Sequence, residues 1–308
     1  MGDIICHDGS NASNVKSRVS KGMGQVNSIT TMLQAVSFGE KYFEIALTLR
    51  EALLVNGMLG SADVWYGLKQ KEIENFEEID KIQLNKILDA LSSSCTESLY
   101  LKLGIIPIRI LLRGRRIIYL HYLVNMEEKE MLHKFFAAQW AYPCKNDWAM
   151  QVREDLEEFG MSEDLKFLKE KSVYQIKRMV KAKMKENALN YLLSLKENHS
   201  KMDDLCYTEL KLQKYLKSDR IPVNEAKNLY RYRVKVANFK TNFGERYQSK
   251  GCPFCFVHLD TQPHAMQCAN VKDLVNTEGD YRKLFGENIP SNISKTLLNI
   301  SKMRESLI

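Results

Sequence analysis

The sequence predicts a mainly α-helical fold. Only 15 of its 308 residues are glycine and 6 are proline, too few for an all-β protein built on tight turns. Along most of the chain, apolar residues recur at intervals of three and four, which is the spacing of one helix face. Apolar residues make up 44% and charged residues 27% of the chain, which indicates a folded protein and excludes collagen-like or low-complexity disordered chains.

The N-terminus is the one exception to the helical pattern. Residues 2–6 have the character of a strand end, and residues 7–11 (His-Asp-Gly-Ser-Asn) form a turn signal. No second strong strand pattern lies nearby, so its partner is either a short, disguised segment or a strand in sequence outside this chain. We favour the second interpretation and predict an orphan N-terminal strand.

Helical patterns then follow one another. The first begins at a Ser13 cap, and another ends at Gly104, a residue type that commonly terminates helices. Residues 163–195 are long enough for two helices or for one rod. In order, the predicted helices cover residues 13–33, 42–59, 73–91, 97–103, 107–124, 126–140, 147–159, 163–195 and 226–243.

The seven cysteines and the lack of a targeting signal indicate the compartment. The number is odd and four of the cysteines are scattered, which is not a disulfide framework and favours a reducing environment. No basic-then-apolar signal peptide opens the chain, and no apolar run approaches the ~20 residues that span a bilayer. We therefore expect a nuclear or cytoplasmic protein with no membrane partner.

The sharpest local signal is a set of metal-ligand residues near the C-terminus. Cys252 and Cys255 form a Cys-x-x-Cys turn; after eight intervening residues come His264 and Cys268, with three residues between them. Three thiolates and one imidazole are a structural zinc set with no position left open for water. His258 is a competing ligand, which we place on the loop between the ligand pairs. The alternative is two buried cysteines beside an unrelated His and Cys.

Two basic segments are candidates for nucleic-acid contact. Residues 211–250 hold eleven Lys and Arg against three acids, a local charge of +8 within a chain of net charge +7. Cations neutralise phosphates and aromatic rings stack on bases. The alternatives are an amphipathic helix docked on the core and, for the second segment, ion pairs with Glu97 or Glu127. The predicted residues are Lys227, Tyr230, Arg231, Tyr232, Arg233, Lys235 and Lys240, then Arg109, Arg113, Arg115 and Arg116.

The sequence contains no strong catalytic motif. The chain has no GxGxxG, P-loop or HExxH motif. Asp203 and Asp204 resemble a polymerase's metal-binding pair, but their surroundings favour a turn or helix cap. His121 and His133 lie in amphipathic helices and are interpreted as satisfied core or boundary residues. We predict no catalytic residue and no small-molecule substrate.

Several segments together resemble the C-terminal part of a non-LTR retrotransposon reverse transcriptase. Residues 2–5 (Gly-Asp-Ile-Ile) with Asp8-Gly9 are similar to the strand at the junction of palm and thumb. The Cys-Cys-His-Cys motif is similar to the knuckle that closes such proteins. Residues similar to the helices between them lie at 17–22, 53–59, 63–67, 101–109, 115–116 and 119–122.

The resemblance implies a domain order and a function. It implies a remnant of a palm strand (1–12), a thumb-like helical domain (13–160), a basic helical linker (161–248), a zinc knuckle (249–270) and a helical C-terminal tail (271–308). It also implies that the catalytic aspartates lie upstream of this chain. Relatives with an endonuclease usually place it after the knuckle, but only 40 residues follow Cys268 and they lack a Pro-Asp and acidic-x-Lys set, so we expect no endonuclease. We therefore expect a fragment that binds RNA, DNA or both and holds structural Zn²⁺ without catalysis. The alternatives are a helical protein-interaction scaffold and an active polymerase.

Overall fold

The computed structural model describes residues 10–35, 41–91, 94–145, 147–196, 207–243, 249–271 and 291–307. Helices dominate these residues, and their only β pairing is an isolated bridge between Gly251 and Leu259. The predicted mainly α fold is confirmed. The orphan strand and the pair Asp203–Asp204 lie outside the described residues.

The described elements follow in this order: α1 (Ala12–Ala35), α2 (Tyr42–Leu49), a π-helical turn (Arg50–Val55), α3 (Asn56–Met58), a 3-10 turn (Ala62–Val64), α4 (Gln70–Leu88), α5 (Thr96–Leu103), α6 (Ile108–Val124), α7 (Met131–Ala141), α8 (Trp148–Glu158), α9 (Leu165–Lys169), α10 (Val173–Lys196), α11 (Lys214–Lys217), α12 (Val223–Arg233), a 3-10 turn (Lys240–Phe243), α13 (Gln262–Gln267) and α14 (Ser291–Glu305).

The chain divides into two compact units, each assembled from separated stretches. The first comprises Met1–Ile29, Thr48–Gln83 and Ile105–Leu193, and the second comprises Thr30–Leu47, Leu84–Gly104 and Ser194–Ile308. The long helices α1 and α4 contribute residues to both units. The contiguous domain boundaries inferred from the sequence stay a prediction.

Helix α6 is the centre of the first unit. It contacts α7, α8, α9 and the 3-10 turn at Ala62–Val64, and its apolar face is buried. Gly114 allows a close approach to α10, because a Cβ at this position would lie 2.2 Å from the sulfur of Met184. His121 is buried and its Nε2 lies 2.9 Å from the carbonyl oxygen of Lys171, while His133 contacts the carbonyl of Leu123. Both histidines therefore have the structural role expected of them.

A buried ion pair also holds the first unit together. Arg50 opens the π-helical turn, and its guanidinium donates two hydrogen bonds of 2.6 Å to the carboxylate of Asp80 on α4. Both side chains are almost completely buried. Two parallel charge-assisted hydrogen bonds satisfy both ions and fix their relative orientation.

Local motifs divide one predicted helix and shorten another in the structure. Residues 163–195 form two helices, because Ser172 and Gln175 make a reciprocal capping box that starts α10. The helix predicted over 226–243 ends at Arg233, which corrects that prediction. Lys235 adopts the left-handed conformation (φ 54°), and the amides of Lys235 and Val236 bond back to the carbonyls of Tyr232 and Arg231, respectively. This is a Schellman motif, which terminates a helix.

In the second unit, α12 packs against α14. Ser294 donates a hydrogen bond to Glu225, and Ser301 donates one to Asn228. Gly104 has φ 67°, as expected for a helix-ending glycine, and a Cβ there would lie 2.2 Å from the backbone of Lys211. The space behind this glycine is occupied by main chain, so a larger residue is excluded.

Candidate metal centre and basic surfaces

The four predicted metal ligands come together. The ligand atoms of Cys252, Cys255, His264 and Cys268 all lie within 4.8 Å of one another. In a tetrahedral site with metal–sulfur bonds near 2.3 Å, neighbouring ligand atoms lie about 3.8 Å apart. The observed cluster therefore needs only small adjustments to hold one ion. The prediction that these four residues come together as a group that could hold a metal ion is confirmed.

Local hydrogen bonds place the first two ligands. The amide of Phe256 donates to the carbonyl of Cys252 at 2.9 Å, which closes the Cys-x-x-Cys turn. The amide of Cys252 donates to the carbonyl of His258 at 2.7 Å, and the bridge between Gly251 and Leu259 lies just outside that bond. Both thiols are thus carried on a short, hydrogen-bonded loop.

The other two ligands come from α13 and its end. Thr261 caps this helix by accepting a hydrogen bond from the amide of His264, and Pro263 occupies the first turn, where it needs no hydrogen-bond donor. The Nε2 atom of His264 lies 3.3 Å from the sulfur of Cys255. Cys268 follows at the C-cap, one helical turn after His264.

The thiol pKa values differ because their surroundings differ. Hydrogen bonds from the backbone amides of His258 and Val257 lower the pKa of Cys255 to about 6. Burial raises the pKa of Cys268 to about 11. A cation at the site would compensate the buried thiolate of Cys268, since metal binding displaces thiol protons. Three soft thiolates and an imidazole fit a tetrahedral metal ion.

His258 is not a member of the four-ligand group. Its side chain is exposed, and its ring centroid lies 4.9 Å from that of His264. The placement on the loop between the ligand pairs agrees with the preferred interpretation of the sequence.

Residues that the sequence analysis did not identify anchor the metal-binding segment in the second unit. Asp260 is buried and accepts two hydrogen bonds from Arg304 on α14 and one from the amide of Lys240. Gln262 donates to the carbonyl of Tyr232 at 2.8 Å. The ligand segment also shares a small apolar cluster with α14, formed by Cys252, Cys268, Val271 and Ile300.

Three of the residues predicted on the basic helix lie in the core. Tyr230 shares a hydrogen bond with Ser98, Tyr232 shares one with Ser301, and the guanidinium of Arg233 lies 5.0 Å from the ring centre of Tyr215. All three side chains are buried. Because neither a base nor a phosphate reaches a buried side chain, these three side chains are not accessible for the predicted contacts.

The four other residues predicted there are half-buried. Arg231 donates to the backbone carbonyl and the carboxylate of Asp89, and the ammonium of Lys227 lies 4.6 Å above the ring of Tyr42. Lys235 is the left-handed residue that ends α12. The amide of Lys240 bonds to Asp260, and its side chain is half-buried.

The four arginines predicted on α6 are engaged within the first unit. Arg109 donates two hydrogen bonds to Glu77, and Arg116 donates two to Asp155. Arg113 forms a salt bridge with Glu158. Arg115 donates to the carbonyl of Leu59 and the side chain of Asn56. None of these partners is Glu97 or Glu127, the acids expected from the sequence. Because all four arginines bond to residues of the same unit, their role is structural.

A basic surface that the sequence analysis did not assign lies on α10. Its buried face is apolar, with Ile176, Val180 and Met184. Its exposed positions carry four cations and the ring of Tyr174, which is 74% exposed. Within the described residues, none of these cations forms a salt bridge. The four cations, named here the α10 basic face, are Lys177, Arg178, Lys181 and Lys185.

The sequence contained the signal for this surface. Residues 166–185 hold eight Lys and Arg against Glu170 alone. Lys177, Lys181 and Lys185 are also spaced by four, which places them on one side of a helix. Charge density alone did not separate cations that face solvent from cations that pair with acids.

The comparisons with known proteins leave the family open. No protein-family model, no curated protein and no solved structure matches this chain. The resemblance to a retrotransposon reverse transcriptase therefore stays a prediction. None of the helices in the described residues is both long enough and apolar enough to cross a membrane.

Proposed function

We propose that this chain binds RNA or DNA through the α10 basic face. The observation that carries the proposal is the row of exposed cations at Lys177, Lys181 and Lys185, with Arg178 beside it and no salt bridge to acids of the described residues. Such a row is spaced to follow a phosphate backbone, and each contact releases a condensed counterion. Contacts of this kind fix position but read no sequence.

We propose that the ion at the four-ligand group is Zn²⁺ with a structural role. Three cysteines and one histidine are a common structural zinc set, and all four positions of the tetrahedron come from the protein. The ion would fold the segment from Cys252 to Cys268, which contains one short helix and little apolar core of its own.

The resemblance to non-LTR retrotransposon reverse transcriptases supports both proposals. It implies thumb-like helices beside a duplex and a knuckle that holds nucleic acid, with the catalytic palm outside this chain. On that basis we assign the chain a binding role rather than a catalytic one. Its location would be the nucleus or the cytoplasm, where such nucleic acids occur.

Charge reversal on α10 tests the binding proposal. The zinc-loaded chain should bind a fluorescein-labelled oligonucleotide with a Kd of about 10⁻⁴–10⁻⁶ M near physiological salt, as non-specific binders do. The variant K177E/K181E/K185E should weaken binding at least about tenfold. The slope of log K against the logarithm of the salt concentration should decrease in magnitude by about 2. Fluorescence anisotropy over a salt series measures both quantities.

A control variant reverses the same charge elsewhere in the first unit. Lys16, Lys21 and Lys134 are exposed lysines on α1 and α7, so K16E/K21E/K134E changes the net charge equally. It should retain most of the affinity and the salt slope. Equal losses in the two triple variants would show that only net charge matters and would remove the α10 basic face from the proposal.

Protein binding is a second candidate function, favoured by helix α7. Met131 and Phe135 lie on one side of this helix, Tyr142 follows at its C-cap, and all three are more than 60% exposed. Exposed apolar patches often mark interaction sites. If this role dominates, the chain should fail to bind nucleic acid at about 50 mM salt, where phosphate contacts are strongest. It should then associate in sedimentation velocity, and Phe135→Ser should abolish that association.

A further inference from the structure

The loop between the two ligand pairs exposes three apolar side chains, which form its tip. Phe256, Val257 and Leu259 are 82%, 79% and 61% exposed. Their neighbours Cys252 and Cys255 belong to the four-ligand group, so the tip is attached directly to the metal site. Large apolar side chains in this position contribute nothing to the core.

The tip also holds Phe256 in an unusual backbone conformation. Its φ angle is 56°, in the left-handed region that glycine normally occupies. Hydrogen bonds on both sides of the residue maintain this conformation: the amide of Phe256 donates to the carbonyl of Cys252, and the amide of Cys252 donates to the carbonyl of His258. A bulky residue kept in a disfavoured conformation and pointed to solvent is a feature associated with function.

The residues around the tip favour a polyanion as its binding partner. Lys250 and His258 are exposed beside it. Among residues 249–271 the only acid is Asp260, which is buried and bound to Arg304. Within residues 249–271, the tip therefore presents apolar surface and the ammonium of Lys250 without an exposed carboxylate.

The apolar area of the tip is suited to a small group on the partner. Specific protein interfaces bury about 800 Å² on each partner, which is far more than one ring and two aliphatic side chains supply. A single exposed phenyl ring matches the face of one nucleobase. Bases in a duplex are already stacked on each other, whereas unpaired bases have free faces.

We infer that Phe256 is a stacking platform for an unpaired base of single-stranded RNA or DNA, with Lys250 beside the adjoining phosphate. This inference rests on the proposed function and deepens it, because it names single-stranded nucleic acid as the partner of the second unit. The α10 basic face meets phosphates of either form, and the tip adds a preference for unpaired bases.

Substitutions at Phe256 test the inference in the zinc-loaded full chain. Phe256→Ala should weaken binding of a short single-stranded oligonucleotide about tenfold, the loss expected for one stacked base. Binding to the duplex of the same sequence should change less than twofold. Phe256→Trp keeps a ring and should bind single strands at least as well as the wild type.

Two controls separate stacking from structure. Phe256→Gly relieves the strain of the positive φ angle, so its thermal stability should be equal to or higher than that of the wild type. Its single-strand binding should fall as it does in Phe256→Ala. Tyr122→Ala removes an exposed ring (56%) from the first unit and should leave single-strand binding unchanged. The absorption spectrum of the Co²⁺-substituted protein should be the same in all variants, which shows that the ligand group is intact.

The outcomes are distinct. Equal single-strand affinity of Phe256→Ala and the wild type overturns the inference and leaves the proposed function standing. Equal losses for single strands and duplex also overturn it, since stacking on free bases predicts a difference. A wild-type chain that binds neither form at about 50 mM salt overturns the proposed function together with the inference. Phe256-dependent binding to vesicles of anionic lipid, without oligonucleotide binding, assigns the tip to a membrane surface instead.

Discussion

Arg304 donates two hydrogen bonds to the carboxylate of Asp260 in the interior of the second unit. Both side chains are buried. Arg304 belongs to the last described helix, and Asp260 lies in the segment between the two pairs of metal ligands. The pair therefore joins the C-terminal helix to the metal-binding segment, and the guanidinium also contacts the ring of Phe239.

Breaking this ion pair should destabilise the second unit. Arg304→Met leaves the buried carboxylate of Asp260 without its counter-ion, and such losses cost about 3–5 kcal/mol. Urea denaturation of the zinc-loaded protein measures the change. The double variant D260N/R304M removes both charges and should recover a large part of the loss. A single variant within 1 kcal/mol of the wild type would contradict this account.

Removing one metal ligand should remove the ion and unfold its segment. Wild-type protein should contain one zinc per chain by elemental analysis, and Cys268→Ser should lose most of it, because three ligands no longer complete the tetrahedron. Hydrogen exchange should then accelerate across residues 249–271, since the proposed metal would provide their folding free energy. Cys144→Ser changes an exposed cysteine outside the group and should retain full zinc content. Full zinc content in Cys268→Ser would refute the assignment.

Lys102 should make stability rise with pH. Its side chain is fully buried, and in the described part of the chain its ammonium has no hydrogen-bond acceptor. Burial, followed by the charges of Arg233 and Lys196, lowers the pKa of Lys102 well below 10.5. Between that lowered pKa and 10.5 the unfolded chain binds more protons than the folded chain. The free energy of unfolding therefore increases as the pH rises through this range.

The variant Lys102→Met tests this dependence. It removes the titrating group and should flatten the pH dependence while raising stability near neutral pH, because an apolar side chain suits the site better. Urea denaturation at several pH values between neutrality and 10.5 measures the slope. Lys134→Met on an exposed position should keep the wild-type slope. An unchanged slope in Lys102→Met would exclude Lys102 as its source.

Features that depend on neighbours in sequence were predictable. The four metal ligands lie within 17 consecutive residues, and their spacing alone identified the group. The end of α5 was predictable as well, because Gly104 adopts the left-handed conformation that glycine provides at helix ends. The end of α12 was missed because a lysine, Lys235, occupies the same kind of position.

Features that depend on distant packing were not predictable. Tyr230 and Tyr232 are on a helix with alternating cations, a pattern typical of a surface, yet Ser98 and Ser301 from distant helices cover them. Three arginines of α6 likewise pair with acids more than 30 residues away, such as Glu77. Only the structure distinguishes these cations from those of the α10 basic face, which form no salt bridge with any described residue.

The metal site is also a group of three thiols. Cys252, Cys255 and Cys268 have their sulfur atoms within 4.8 Å of one another. When no ion occupies the thiolates, an oxidant can join two of them in a disulfide, which removes two ligands at once. A bound ion therefore protects the residues that hold it, and protein prepared without a reductant should lose its capacity for zinc in proportion to the thiols it has lost.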